Sequence, residues 1–125
     1  MSSILPGNQF DESSFISILV ELACTLNENC GKYTKPNGDL QEYSGYEVNK
    51  SGLESAISAP FQGFSGVPRF SSPYDVAAAL LINIATGHHF QDGNKRTALL
   101  LSLTYLGLHE IEVAPPSDEA GVGLL

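Results

Sequence analysis

Residues 88–100, HHFQDGNKRTALL, set two imidazoles, a carboxylate, a Gly-Asn pair and a Lys-Arg pair ahead of a strongly apolar run. If a helix starts at about Asn94, the free amides of its first turn and the dipole behind them form an anion site before any side chain is counted. Lys95 and Arg96 add formal positive charge at the same place. Gly93 lets the backbone turn tightly and leaves room for a bulky ligand to approach. Asp92 would repel a phosphate directly, but it suits one through a divalent cation, which is how Mg²⁺ is usually held. A histidine nearby has the pKa range to take a proton from a hydroxyl near neutral pH. Helix start, cation pair, acid and imidazole together outline a phosphoryl- or nucleotidyl-transfer site, where positioning and charge stabilisation do most of the catalysis.

Each fragment also has a plainer meaning. A Gly-Asn pair before a helix is usually only a turn, and a Lys-Arg pair in a first turn is usually a solvated face. Two adjacent histidines with an aspartate could bind zinc, but adjacent side chains diverge on most backbones and no third ligand is suitably spaced. The spacing of the whole set carries the transfer reading.

The chain around the motif narrows the function further. At 125 residues it is read as one domain spanning 1–125, enough for a single hydrophobic core. Six Lys+Arg against 14 Asp+Glu give a formal net charge of -8. That balance argues against a general nucleic-acid or anionic-membrane binder. Cys24 and Cys30 lack metal-ligand or CxxC spacing, so a reduced, cytoplasmic protein is expected. No secretory leader pattern opens the chain, and the apolar run from Val76 to Ile82 is too short to span a bilayer.

The elements that must position the motif read as helices separated by Gly/Pro/Ser loops. Phe15, Ile18, Leu19, Leu22, Ala23 and Leu26 recur at helical spacing, with Ser17, Glu21, Thr25 and Glu28 opposite. Asp11 is a candidate cap and Gly31 a stop. Residues 32–46 read as loop. Ser51-Gly52-Leu53-Glu54 has the S-x-x-E form of a capping box, opening a short helix that runs through Ile57 and stops at Pro60. Residues 60–72 mix aromatics with Gly and Pro, as a loop or loose hairpin does. Ser72-Pro73-Tyr74-Asp75 is a strong helix start for 74–86. That helix and the one after the motif are apolar nearly all round, which predicts a place in the middle of a bundle. After Gly107, LHEIEVAPP could add one short strand, and Ser117-Asp118-Glu119 looks like the start of a helix cut short or frayed at Leu125.

At its full spacing, His88-His89-Phe90-Gln91-Asp92-Gly93-Asn94-Lys95-Arg96 resembles the H-x-F-x-(D/E)-(G/A)-N-(G/K)-R signature of the Fic/Doc family, with every defined position matched. The resemblance extends over residues 48–125 and fits the first helix only loosely. It implies an all-α, Fic/Doc-like helical bundle with a small β-hairpin flap. It also implies a toxin that acts in the cytoplasm with ATP and Mg²⁺ as cofactors. By that resemblance His88 is the general base, Phe90 a structural anchor, and Asp92 the acid that holds Mg²⁺ or orients the base. Gly93, Asn94 and Lys95 match the anion-hole segment and Arg96 the phosphate-binding arginine, while His89 is a surface or supporting residue.

Lysine at position 95 resembles the Doc (death-on-curing) branch. Larger Fic enzymes have glycine there and a second arginine three residues after Arg96, where this chain has Leu99. Doc-like proteins are similar in lacking that arginine, bind ATP reversed and transfer its γ-phosphate. The resemblance therefore implies a kinase-like toxin, with translation elongation factor Tu as the target class. A Fic-type AMP-transferase and a non-catalytic nucleotide-binding module are the alternatives. The flap is expected to dock a target segment by strand addition, and Arg69 within it is read as a solvated charge rather than a substrate contact. The family's inhibitory helix carries (S/T)-x-x-x-E-(G/N), and Ser17-Ile18-Leu19-Val20-Glu21-Leu22 fails at its last position. Restraint is thus expected in trans, from an antitoxin.

Overall fold

The computed structural model describes residues 5–6, 11–30, 33–34, 40–41 and 48–113. In chain order these form α1 (Glu12–Cys30), β1 (Tyr33–Thr34), β2 (Leu40–Gln41), α2 (Lys50–Ser58), a single 3₁₀ turn (Ala59–Phe61), α3 (Pro73–Thr86) and α4 (Asn94–Leu108). The architecture is all-α, as expected. β1 and β2 pair antiparallel, Tyr33 with Gln41 and Thr34 with Leu40, inside a stretch read from sequence as loop. No described helix is long and apolar enough to cross a membrane.

Asp11 starts α1 as expected. Its carboxylate accepts the Ser14 amide at 2.7 Å, a bond that holds the Asp11 carboxyl below the usual range. The face α1 buries is rotated from the predicted one. Phe15, Ile16, Leu19, Val20 and Ala23 are buried, whereas Ile18 is exposed. Apolar residues stand on nearly every side of this turn of α1, so helical spacing alone did not select the stripe, and packing against α2 and α4 did. Partial burial pushes the Cys24 thiol up, the direction that disfavours the reactive thiolate.

At α2 the cap is Asn49, not Ser51. The Asn49 Oδ1 accepts the Gly52 amide at 3.1 Å and the Ser51 hydroxyl at 3.2 Å. Asn is as good a cap as Ser, and the Asn49 amide is already fixed by donating to the His89 carbonyl at 2.8 Å. Pro60 lies buried in the 3₁₀ turn, where it ends α2 as expected. Phe61 from that turn meets Phe15 edge-on at 5.9 Å and Tyr105 at 5.9 Å, joining α1, the turn and α4 in one aromatic cluster.

α3 opens on the predicted signal, the Ser72 hydroxyl accepting the Tyr74 amide at 3.2 Å with Pro73 in the first turn. α3 and α4 share the most extensive helix contact, through Val76, Ala77, Leu80 and Ile84 on one side and Ala98, Leu101 and Tyr105 on the other. α4 is less enclosed than its composition suggested, with Leu99, Leu100 and Leu103 partly open to solvent.

Residues 109–113 form no strand. They close α4 with a Schellman cap, in which the Ile111 amide donates to the Leu106 carbonyl and the Glu110 amide to the Gly107 carbonyl. Glu110 takes the left-handed position at φ 61, where glycine is normally used. Glu110→Gly should therefore stabilise the chain by about 0.5–1 kcal/mol, the lifted strain exceeding the added unfolded-state entropy. Thermal unfolding would register this as a rise in Tm, and a fall would contradict the left-handed cap. The predicted helix start at Ser117 lies outside the described residues.

Candidate functional site

The loop between α3 and α4 is held on several sides. Phe90 is buried in the core and its backbone bridges to Val48, just before α2. Asn94 closes the loop on itself, since its Oδ1 accepts the Phe90 amide at 3.0 Å and its Nδ2 donates to the Phe90 carbonyl at 2.8 Å. That carboxamide is thereby committed to structure, and what Asn94 can offer a ligand is its backbone amide. Gly93 stands at the start of α4 with φ 75, a left-handed conformation that a Cβ would penalise.

No side chain caps α4. The amides of its first turn, in Asn94, Lys95 and Arg96, have no carbonyl four residues back within the helix. These residues line a cavity of about 440 Å³ together with Ala85, His88, Gln91, Asp92 and Gly93. Every residue singled out from sequence for transfer chemistry thus faces one space. His88, also in the lining, has φ 52. Histidine tolerates the left-handed region better than most residues, and this conformation follows at once on the end of α3. No hydrogen bond to the His88 ring occurs among the described residues. The Asp92 Oδ1 accepts the amide of Gly93 at 2.8 Å.

His89 faces away from this cavity. Its half-buried ring lies at 3.4 Å from the Asn83 carbonyl and fills the space where a side chain at Gly87 would stand. Asn83 in turn donates to the Ala56 carbonyl of α2 at 3.1 Å. His89 therefore packs the loop against α2 and α3.

Sequence reasoning missed Asn27, on α1. It is 2% exposed, and its Nδ2 donates to the Asp92 carbonyl at 2.8 Å and to the Thr97 hydroxyl at 3.1 Å. The available signal was a carboxamide four residues after Ala23, in line with the stripe that α1 does bury. Glu21, the candidate inhibitory glutamate, pairs with Lys50 at 3.3 Å, the sole ion pair among the described residues.

The flap is a tight two-residue turn. Phe64 and Val67 exchange both backbone hydrogen bonds, at 2.9 and 3.0 Å. Ser65 and Gly66 between them have φ 53 and 79, the signs that favoured hairpin turns require. Phe64 is 84% exposed. Arg69 lies 5.2 Å from the Phe70 ring centre, an exposed cation over an aromatic face.

The chain is 36% identical over 66 residues to Toxin Doc of Mycolicibacterium smegmatis (strain ATCC 700084 / mc(2)155), a match covering 53% of this chain and 51% of the relative. The chain thus spans about half the length of that curated relative. No solved structure gave a significant match. A family model described as the Fic/DOC family matches residues 15–106, from the first buried aromatic of α1 to the last buried leucine of α4, and the chain belongs to that family.

Proposed function

We propose that this chain is a Doc-like toxin that transfers the γ-phosphate of ATP to a hydroxyl of a target protein, with elongation factor Tu as the target class. Members of the family are typically transferases that act on proteins, and the relative named above is a toxin. The observation that carries the reading is the uncapped start of α4, which opens with Lys95 and Arg96 on the same cavity as His88.

In this reading the α4 amides, Lys95 and Arg96 hold the phosphates. His88 takes the proton of the acceptor hydroxyl as its oxygen bonds to the γ-phosphorus. The bond from that phosphorus to the β–γ bridging oxygen breaks and ADP leaves. Asp92 is the carboxylate in the cavity that would hold Mg²⁺. One or two carboxylates plus phosphate oxygens suffice for that ion, which would offset phosphate charge when bound. The edge of Phe64 and Val67 would receive an extended segment of the target.

Phosphate transfer is favoured over AMP transfer by Leu99. It stands one turn after Arg96, is 49% exposed and lies outside the cavity lining, so the cationic face ends at Arg96. Restraint is assigned to an antitoxin in trans, because Glu21 is engaged with Lys50 rather than with Arg96. The test is to incubate the protein with ATP, Mg²⁺ and elongation factor Tu and to weigh the target by mass spectrometry. A gain of one phosphate is expected. A gain of AMP would replace this reading with a nucleotidyl transferase, and an unchanged mass would leave a binding module or another target.

A further inference from the structure

We propose that Asn27 is a positioning residue that locks the Asp92–Gly93 peptide, and through it the Asp92 carboxylate, in the orientation the cavity requires; this rests on the transfer reading above. The carbonyl that Asn27 holds at 2.8 Å belongs to the same planar unit as the Gly93 amide. In a trans peptide the C=O and N–H point opposite ways. With the carbonyl turned inward to buried Asn27, the N–H points outward, and the Asp92 Oδ1 accepts it at 2.8 Å. The carboxylate at the cavity is therefore set by a peptide plane, and the plane by a side chain 65 residues earlier in the chain.

The loop needs such a lock because of Gly93. Its φ of 75 lies in a region glycine enters and leaves without a Cβ penalty, so rotation of the Asp92–Gly93 peptide meets little steric resistance. In the rotated state the carbonyl oxygen would face the cavity, presenting its negative end to a phosphate, and the Gly93 amide would leave the Asp92 carboxylate. Asn27 opposes this from the core. Rotation would take the acceptor from a buried Nδ2 donor, and an unsatisfied buried donor is costly. The second bond, to the Thr97 hydroxyl at 3.1 Å, fixes the same carboxamide to the first turn of α4. Thr97 is fully buried and lies outside the cavity lining.

The test compares Asn27→Asp and Asn27→Ser with Thr97→Val in the full chain. Asn27→Asp keeps the shape but removes the donor, Asn27→Ser is too short to reach, and Thr97→Val removes the second bond while leaving the bond to the Asp92 carbonyl in place. The readouts are the Gly93 amide resonance in a ¹⁵N–¹H spectrum without ligand, the affinity for ATP with Mg²⁺, and the melting temperature. Both Asn27 variants should displace or split the Gly93 resonance and weaken ATP by about tenfold. Thr97→Val should lower the melting temperature and leave the other two readouts near wild type. A purely structural Asn27 would lower the melting temperature with Gly93 unmoved, and that result in either folded Asn27 variant overturns the proposal. Loss of ATP affinity with an unmoved Gly93 resonance overturns it as well. A wild-type chain that binds no ATP would overturn the transfer reading instead, and the ligand-free Gly93 resonance would still decide this one.

Discussion

His88→Ala is expected to slow transfer to elongation factor Tu by about 10²–10⁴-fold, the usual contribution of a positioned general base, while ATP affinity stays near wild type. The split follows from the geometry. Lys95, Arg96 and the α4 amides line the cavity from the helix side, and His88 lines it from the loop that leaves α3. Removing the imidazole leaves the phosphate-facing groups in place. The fold should be untouched, because His88 is exposed and no described residue hydrogen-bonds its ring. Cells expressing the wild-type chain without an antitoxin should stop growing, and cells expressing the variant should continue. Equal arrest by both would remove His88 from the chemistry, and unaffected growth with the wild type would remove the toxin itself. Lost ATP binding in the variant would make His88 a nucleotide ligand rather than a base.

What could be read from the sequence was what local chemistry dictates. Ser72-Pro73 starts α3 and Gly93-Asn94 starts α4 because a cap, a fixed φ and a permissive glycine act within a few residues. The motif was legible for the same reason, its residues being consecutive and its cavity built on one helix start. Features decided by distant packing were not. Ile16 and Val20 turned inward and Ile18 outward through contacts with other helices, which helical spacing does not encode. Asn49 displaced Ser51 as the α2 cap because the strand-like pairing of residues 48–49 with the motif loop had already placed its backbone. Glu110 occupies a position whose usual signal is glycine, so the cap on α4 had no residue to announce it and the stretch read as a strand. Asn27 was silent for a related reason. On the stripe as read from sequence it sat at the margin, and only the true rotation of α1 aims it at Asp92.

Arg96→Ala should move activity and stability in opposite directions, with transfer falling by about 10³-fold or more, as when an arginine is taken from a phosphoryl-transfer site, and the melting temperature unchanged or slightly higher. Cations are disfavoured at a helix N-terminus by a few tenths of a kcal/mol, up to about 1. This chain places two side by side in the first turn of α4, and neither belongs to the sole ion pair of the described residues, Lys50 with Glu21. Arg96 is exposed and contributes nothing to the core. A cation with no ion-pair partner among the described residues, kept where the fold gains nothing from it, is explained by an anion that arrives later, which is the trade-off expected of a functional group. Arg96→Lys separates charge from shape. It keeps the positive charge but loses the planar fork that grips two phosphate oxygens at once, so transfer should recover only partly, and the residual binding should weaken more steeply with salt. Measurements of kcat, ATP affinity and Tm on the three proteins check this together. A melting temperature that drops in Arg96→Ala would mean that the side chain stabilises the fold, and full activity in Arg96→Lys would mean that charge alone is used.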